Sequence, residues 1–365
     1  MAGHGGKNNK KKALAVVTGP YTLMQVFWVI LFYTNYEWSV VLHRYGESKE
    51  QLLSLKEHCV RSGCFQDVYI MENTPLFLGT WGRIVEFIKM FFYFLTQKRK
   101  KYCKRLIESC IGKLDYDLLC VPTSYSVFSG ALLNYSDEIP TIILQDGLAD
   151  YVQPKMEEYG FCMNIIGRLL FYMKYVNFLA LDEFYFQQYC IKYATDPERL
   201  RDKNFMEIRR LFDENKVSPK EYEDFLREIY QVGELNYDVV VFTYLSQSLE
   251  ANEDHEKLRR WLGECFKDKK ILIKKHPRDT NLYHWSELNI TCQYTEIPGE
   301  IIIKLAKNAK FIFSDLSTLL LSVIYEEGYD YEVIKYVSGM TKSYQYNVEQ
   351  LLNWLKIEKD RYVEL

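Results

Sequence analysis

The chain has 365 residues, of which 48% are hydrophobic and 26% are charged, and its formal net charge is -3 at pH 7. This length exceeds that of one ordinary hydrophobic core and fits two domains. The slightly negative charge argues against a nucleic-acid-binding protein, which normally has a basic excess. No apolar run reaches the roughly 18 residues needed to span a bilayer.

The cysteines and the first residues indicate a cytoplasmic protein. The nine cysteines are scattered and form no C-x-x-C pair, which is typical of buried thiols in a reducing compartment. The first twelve residues, MAGHGGKNNKKK, are polar and basic and contain no apolar signal-peptide region. We predict that residues 1–12 are a disordered leader.

The chain then alternates predicted strands and helices. Ala13 to Val17 is a short apolar run, which the turn residues Thr18, Gly19 and Pro20 separate from an apolar helix. Further strands are predicted at 38–44, 67–72, 116–122 and 139–145, with helices at 47–62 and 100–112. Continuous runs of Val, Ile and Leu separated by helices indicate a parallel sheet that is covered on both faces.

From about residue 152 to 230 only helical patterns are found, and strands then resume. They are predicted at 237–246, 269–277, 290–296, 310–315 and 331–337, with a helix at 253–266. The sequence therefore predicts an α/β fold with two Rossmann-like halves. We place the first at 13–230, including the helical extension, and the second at 231–365.

Polar residues gather where the predicted strands end, at the edge where open α/β sheets bind ligands. The segment ILIKKHPRDT is the sharpest case, because Pro277 holds His276 extended at a strand end. Lys274, Lys275 and Arg278 flank this histidine. A solvated basic loop would explain the cluster, but a protonated histidine among cations is also well suited to contact a phosphate.

Other strand ends have a structural and a functional interpretation. Asp146-Gly147 is a favoured turn pair, and its carboxylate is also a candidate general base. Asp254 is most simply the N-cap of a helix and is kept as a second candidate base. The residues after the first strand and after the 237–246 strand are candidate cleft loops: Thr18, Gly19, Pro20, Ser246 and Gln247. Ser314, Ser317 and Thr318 follow the 310–315 strand and are either helix N-caps or, with the N–H groups of a helix start, a phosphate site.

Two further stretches of the sequence are candidates for a functional role. Asp115 and Asp117 imitate the D-x-D motif of metal-dependent sugar transferases, but they precede a strand instead of following one, so we discount them. Histidines and cysteines do not occur at zinc-binding spacing. Residues 82–105 combine an apolar aromatic segment with a basic run, which predicts a buried helix with a solvated end or a contact with an anionic membrane surface.

In this order, QDG, KKHPRD and SDLST resemble the acidic-Gly, HP and Ser/Thr motifs of bacterial HP-motif sialyltransferases. The resemblance is to glycosyltransferase family 52, the lipooligosaccharide sialyltransferases, and to the related capsule polysialyltransferases. VVTGPYTLMQ also resembles the first strand and loop of that family. The sequence departs from the family at Gln145, which stands where a first carboxylate is usual.

The resemblance implies a GT-B fold with a central cleft, in which the first domain faces the acceptor and the second binds the nucleotide sugar. The donor would be CMP-sialic acid, with no metal or other cofactor, and the acceptor a galactose hydroxyl of lipooligosaccharide or capsule. Asp146 or Asp254 would be the base, and His276 would stabilise or protonate the leaving phosphate. The resemblance further implies inversion, a possible homodimer and a possible peripheral contact with the inner face of the cytoplasmic membrane.

Two alternatives stay open at this point. One is another GT-B glycosyltransferase or a sugar-nucleotide epimerase, since these share the two-domain architecture. The other is a non-catalytic scaffold of a capsule assembly complex.

Overall fold

The computed structural model describes residues 10–43, 49–71, 85, 88, 99–122, 127–135, 139–144, 218–243, 250–275, 283, 285–294, 297–314, 319, 320, 323, 329–335 and 359–365. The chain divides into two compact units, Met1–Tyr222 and Glu223–Leu365. The division falls inside a helix, eight residues before the predicted domain boundary at 230.

The first unit is built on a five-stranded parallel sheet. Its strands are β1 (Lys11–Val17), β2 (Tyr36–His43), β3 (Phe65–Met71), β4 (Leu118–Pro122) and β5 (Thr141–Leu144). Its described helices are α1 (Pro20–Phe32), α2 (Lys49–Ser62), α3 (Arg99–Ile111) and α4 (Val127–Tyr135). The strand order is β3-β2-β1-β4-β5, so the chain reverses its direction of winding between β1 and β4.

The second unit contains a six-stranded parallel sheet. Its strands are β6 (Val239–Phe242), β7 (Ile271–Lys274), β8 (Ile290–Tyr294), β9 (Lys310–Phe313), β10 (Tyr331–Lys335) and β11 (Tyr362–Glu364). Its described helices are α6 (Glu250–Cys265) and α7 (Gly299–Leu305), and α5 (Pro219–Tyr230) crosses the division between the units. The order β11-β10-β9-β6-β7-β8 places the reversal of winding between β6 and β9.

The predicted fold class is confirmed in both units. The strands are buried on both faces, as Val239, Val240 and Val241 show with at most 1% exposure, and parallel strands covered by helices on both sides are expected to be apolar throughout. All ten predicted strands form, although most end earlier than predicted. β11 was not predicted, since its three residues form no apolar run.

The predicted leader is wrong at its last two residues. Lys11 and Lys12 belong to β1 and pair with Tyr36 and Glu37 of β2. The backbone N–H of Lys12 donates to Asp117 Oδ2 at 2.9 Å, and its side chain lies 3.3 Å from the Asp115 carboxylate. These polar partners stabilise Lys12 at the start of the strand, where no apolar residues predict one. Residues 1–9 lie outside the described residues.

The stretch 82–105 is described only in part. Val85 and Ile88 are helical, and 47% and 59% of their surfaces are exposed, so the prediction of a buried helix is wrong at these two positions. The basic end is solvated as predicted, since Lys100 and Lys101 are exposed in the first turn of α3. Among the described residues, no helix is long and apolar enough to cross a membrane.

Candidate donor site at the carboxyl edge of the second sheet

Three adjacent strands of the second sheet end in polar residues at one edge. β7, β6 and β9 lie side by side and lead into Lys275, Thr243 and Ser314. The Thr243 N–H donates to the Lys274 carbonyl at 3.0 Å, and the Ser314 N–H donates to the Phe242 carbonyl at 3.0 Å. The edge is therefore a continuous hydrogen-bonded line that contains the β6/β9 reversal, where doubly wound sheets bind nucleotides.

Both lysines that precede the HP motif are buried. Lys274 is 5% exposed and Lys275 is 7% exposed, which is unusual for a residue type that almost always lies at the surface. The Lys274 Nζ donates to the Lys275 carbonyl at 2.5 Å. The cation therefore fixes the backbone immediately before His276, and the interpretation of this segment as a solvated basic loop is wrong for these two residues.

The buried Lys274 has a carboxylate nearby that the sequence analysis missed. Glu300 lies in the first turn of α7 and is 7% exposed. Burial raises the pKa of Glu300 to about 7, while its own backbone N–H and the charge of Lys274 oppose that shift. Burial also lowers the pKa of Lys274 to about 8, opposed by the charge of Glu300. Buried ionisable groups with shifted pKa values, such as these two beside the HP motif, are typical of a functional site.

Thr243 was also missed by sequence reasoning. The strand was predicted to continue to residue 246, but β6 ends at Phe242, so Thr243 is the first residue beyond the strand. Its side chain is buried, like that of Ser314. Because β6 ends at Phe242, the Thr243 hydroxyl lies at this edge, between Lys274 and Ser314.

Asp254 lies inside a helix and is not its N-cap. α6 begins at Glu250, one turn earlier than predicted, because Glu and Ala at its start are good helix formers. The next residue, His255, contacts the segment that follows the HP motif: its Nε2 lies 3.4 Å from the Tyr283 hydroxyl, with ring centroids 5.3 Å apart. The second turn of α6 thus borders the residues after His276.

In the first unit, the loop after β1 is closed by its own hydrogen bonds. The N–H groups of Thr18 and Gly19 both donate to Thr22 Oγ1 at 3.0 Å, and the Thr22 hydroxyl donates back to the Gly19 carbonyl at 2.9 Å. Pro20 has no N–H to offer. The Thr18 and Gly19 N–H groups are therefore engaged within the loop and are not available to bind a phosphate, as the loop N–H groups of dinucleotide-binding folds do.

A neutral histidine lies at the same edge of the first sheet. His43 ends β2, is 1% exposed and stacks on Phe128 with ring centroids 6.4 Å apart. Burial lowers its pKa to about 4, so the imidazole is uncharged at neutral pH. His43 lies within the strand predicted at 38–44, and no site role was predicted for it.

The predicted site residues fall partly inside and partly outside the described part of the chain. Thr18, Gly19, Pro20, Asp254, Lys274, Lys275 and Ser314 belong to the described part of the chain. The predicted residues that lie outside it, and whose roles stay predictions, are Asp146, Gly147, Ser246, Gln247, His276, Pro277, Arg278, Ser317 and Thr318.

The discounted D-x-D imitation is structural. Asp117 accepts a hydrogen bond from the β1 backbone and Asp115 pairs with Lys12, at the amino end of the first sheet. Within the described ranges, no group of three or more His, Cys, Asp or Glu side chains is arranged to hold a metal ion.

The sequence from residue 13 to 325 matches the alpha-2,8-polysialyltransferase family. The chain belongs to this family. It is therefore a sialyltransferase, and the predicted kinship with bacterial sialyltransferases is confirmed. Family membership also decides against the epimerase and scaffold alternatives. The search of curated proteins found no match.

Three solved structures illustrate the shared fold. An alpha/beta-galactoside alpha-2,3-sialyltransferase from Photobacterium phosphoreum has a TM-score of 0.51 and 12% identity, and the match covers 98% of each chain. UDP-GlcNAc 2-epimerase from Neisseria meningitidis gives 0.50 and 10%, covering 95% of this chain and 92% of the other. UGT89C1 from Arabidopsis thaliana gives 0.52 and 10%, covering 98% and 85%. The polysialyltransferase family member thus has the predicted GT-B-like fold.

Proposed function

We propose that this sialyltransferase transfers sialic acid from CMP-sialic acid to a glycan hydroxyl, with inversion and without a metal ion. The observation that carries the proposal is the line of Lys275, Thr243 and Ser314 at the winding reversal of the second sheet. Two hydroxyls and buried cations form a small, positively charged seat that suits the single phosphate of CMP.

The reaction is an in-line displacement at the anomeric carbon of sialic acid. The bond from that carbon to the CMP phosphate oxygen breaks as the acceptor oxygen forms the new bond from the opposite face, which inverts the configuration. Asp146, or alternatively Asp254, takes the proton of the acceptor hydroxyl. His276 stabilises the departing phosphate or gives it a proton, as general acids do.

Lys274 and Glu300 act indirectly in this proposal. Lys274 points its ammonium group at the Lys275 carbonyl, so it holds the backbone that leads to His276. Glu300 supplies the opposite charge that makes this buried ammonium tolerable. In this proposal the two residues position the HP motif, and Lys275, Arg278 and the hydroxyls have the role of binding the donor phosphate.

For the acceptor, we propose the hydroxyl of a terminal sialic acid on a capsule or lipooligosaccharide chain. Support comes from the name of the family, which specifies an alpha-2,8 linkage. The terminal galactose that the sequence analysis predicted is the second candidate. On either acceptor, the enzyme works where CMP-sialic acid is made, which we place in the cytoplasm at the inner face of the membrane.

One experiment tests donor, acceptor and metal requirement together. The protein is incubated with CMP-sialic acid and either an alpha-2,8-linked sialic acid oligomer or lactose, with and without EDTA. We expect CMP release, an oligomer lengthened by one residue in mass spectrometry, and equal rates with the chelator. Extension of lactose alone would replace the first acceptor with the second. Absence of CMP release with both acceptors would overturn the proposal.

A further inference from the structure

The first turn of α7 links the two outer strands of the candidate donor site, β7 and β9. Burial shifts the pKa values of both Glu300 and Lys274, and the charge of each opposes the shift of the other, so these two side chains are close. The preceding residue, Gly299, is approached by the side chain of Leu319. Leu319 directly follows the SDLST motif, which begins with Ser314 at the end of β9. One helical turn is therefore next to both motif segments.

The approach of Leu319 to Gly299 is too close for any side chain at position 299. An added Cβ would lie 2.5 Å and 2.6 Å from the two methyl carbons of Leu319 and 3.1 Å from its Cγ. Carbon atoms normally pack about 3.5–4.0 Å apart. Because Cγ is also too close, rotation of the two methyl groups alone would not make room. At Gly263 in α6, by contrast, the nearest atom to an added Cβ is Leu288 Cδ2 at 3.9 Å.

Gly299 is needed for its size and not for its backbone conformation. Among the described glycines, Gly63 and Gly112 have positive φ angles, which favour glycine, and Gly299 does not. It lies in a helix, where glycine is a poor choice. The close packing of Leu319 is the property of this position that requires a residue without a side chain.

α7 is held firmly on its other sides. Ile301 and Ile302 are fully buried, and their N–H groups both donate to the Pro298 carbonyl, at 3.1 Å and 3.3 Å. The ring of Pro298 restricts the backbone just before Gly299. Leu319 is only half-buried. A methyl group added at position 299 should therefore displace Leu319, and with it the chain that leads back to Ser314, more readily than α7.

We propose that Gly299 is a positioning residue of the donor site, which lets the segment after the Ser/Thr motif pack directly on α7 and so fixes Ser314 relative to the HP side. The inference rests on the proposed function, which gives the Ser314 hydroxyl a role in binding the donor phosphate. Gly299 contacts no substrate in this proposal and acts through Leu319.

The test compares full-length wild type with Gly299→Ala, Leu319→Ala and the double variant that carries both changes. Gly263→Ala is the matched control, since its added methyl group has room. Hydrogen exchange of the Ser314 N–H, which donates to the Phe242 carbonyl at 3.0 Å, reports on the position of this edge without any ligand. Calorimetry measures the affinity for CMP, and initial rates give kcat and the KM for CMP-sialic acid.

We expect Gly299→Ala to accelerate exchange at Ser314 and to weaken CMP binding, each by about tenfold, the usual size of coupling between residues in contact. Its kcat should fall by about tenfold or more, because a displacement of about 1 Å can cost about 10²-fold in rate. The double variant should have the values of Leu319→Ala alone, since the added methyl group then occupies space left by the leucine. Gly263→Ala should match wild type in every measurement.

Wild-type exchange at Ser314, or wild-type CMP affinity, in folded Gly299→Ala would overturn the inference. If Gly299→Ala does not fold, the double variant decides: it must fold whenever Leu319→Ala does, and its failure to fold would equally overturn the inference. If exchange changes as expected while wild type neither binds CMP nor transfers sialic acid, the positioning role of Gly299 stands and the proposed function fails.

Discussion

At the scale of single residues, the proposed transfer mechanism depends on His276, whose role was inferred from sequence. Pro277 follows His276 in the sequence, and the two buried lysines precede it. The Lys274 ammonium group donates to the Lys275 carbonyl and so anchors the backbone on that side. An anchored backbone on one side of a catalytic group is what preorganised catalysis requires.

His276→Ala should lower kcat by about 10²–10⁴-fold, the usual contribution of a general acid. The affinity for CMP should fall much less, because the other cations and hydroxyls of the seat remain. Initial rates and calorimetry measure the two effects separately. His284→Ala, eight residues further along, serves as the matched control and should retain wild-type activity. If His276→Ala loses CMP affinity and keeps kcat, the histidine holds the phosphate only.

The choice of base is decided by a matched pair of substitutions. We expect Asp146→Asn to reduce kcat by about 10²–10⁴-fold and Asp254→Asn to leave it nearly unchanged. Asp146 follows a predicted strand end, whereas Asp254 lies inside α6. Steady-state kinetics at saturating donor distinguishes them, and the reverse ranking would assign the base to the second unit.

Glu300 makes a prediction about stability as a function of pH. The pKa of Glu300 is raised from 4.5 to about 7, so the folded protein binds more protons than the unfolded chain between these values. The contribution of Glu300 to the free energy of unfolding should therefore fall as pH rises from about 4.5 to 7, by up to the order of 3 kcal/mol at about 1.4 kcal/mol per pKa unit.

Glu300→Gln should remove this contribution, as measured by urea denaturation at pH 5, 6 and 7. Between about pH 4 and 6.5 the lowered pKa of His43 contributes a slope of the opposite sign in both proteins, so the difference between the two profiles isolates the carboxylate. Glu256→Gln, on the exposed surface of α6, is the control and should follow wild type. A Glu300→Gln profile with the wild-type slope would contradict burial of the charge.

At the scale of elements, the strands could be predicted and their exact ends could not. Runs such as ILIK and KFIF are buried on both faces, so composition alone identifies them. β6 ends at Phe242, although the Thr243 N–H still donates to the Lys274 carbonyl of the neighbouring strand, and β11 is a strand because it pairs with β10. Both facts depend on residues distant in sequence, which no local pattern contains.

The site residues could likewise be predicted only where the local sequence identifies them. Lys274, Lys275 and Ser314 were predicted because each follows an apolar run. Glu300 was missed because a carboxylate in a first helical turn normally faces solvent and favours the helix dipole. Its burial depends on how α7 packs, including the approach of Leu319, whose side chain would lie 2.5 Å from a Cβ added at Gly299.

The hydrogen bonds that close the loop between β1 and α1 can be tested by substitution. Thr22→Val keeps the side-chain volume but removes the oxygen that accepts the Thr18 and Gly19 N–H groups. We expect a loss of about 1–3 kcal/mol in the free energy of unfolding, the cost of buried donors left without a partner. Thr18→Val removes a hydroxyl whose side-chain contact to Thr22 is long, at 3.4 Å, and should cost less. Equal losses in the two variants would contradict this role of Thr22.

At the scale of the whole molecule, the alternation of apolar strands and helices predicted the fold class, and the family match gave the chemistry. The order of strands was beyond sequence reasoning, because it depends on pairing between distant segments. That order matters most for function, since it brings the ends of β7, β6 and β9 together. The central claim is that this edge is the seat of the donor phosphate.

Calorimetric titration of CMP tests that claim most directly. We predict that wild type binds CMP more tightly than UDP. Lys275→Gln and Ser314→Ala should each weaken CMP binding, by about tenfold for the lysine. Lys269→Gln, an exposed control, should bind as wild type does. Unchanged CMP affinity in both site variants, with their folding intact by circular dichroism, would contradict the account.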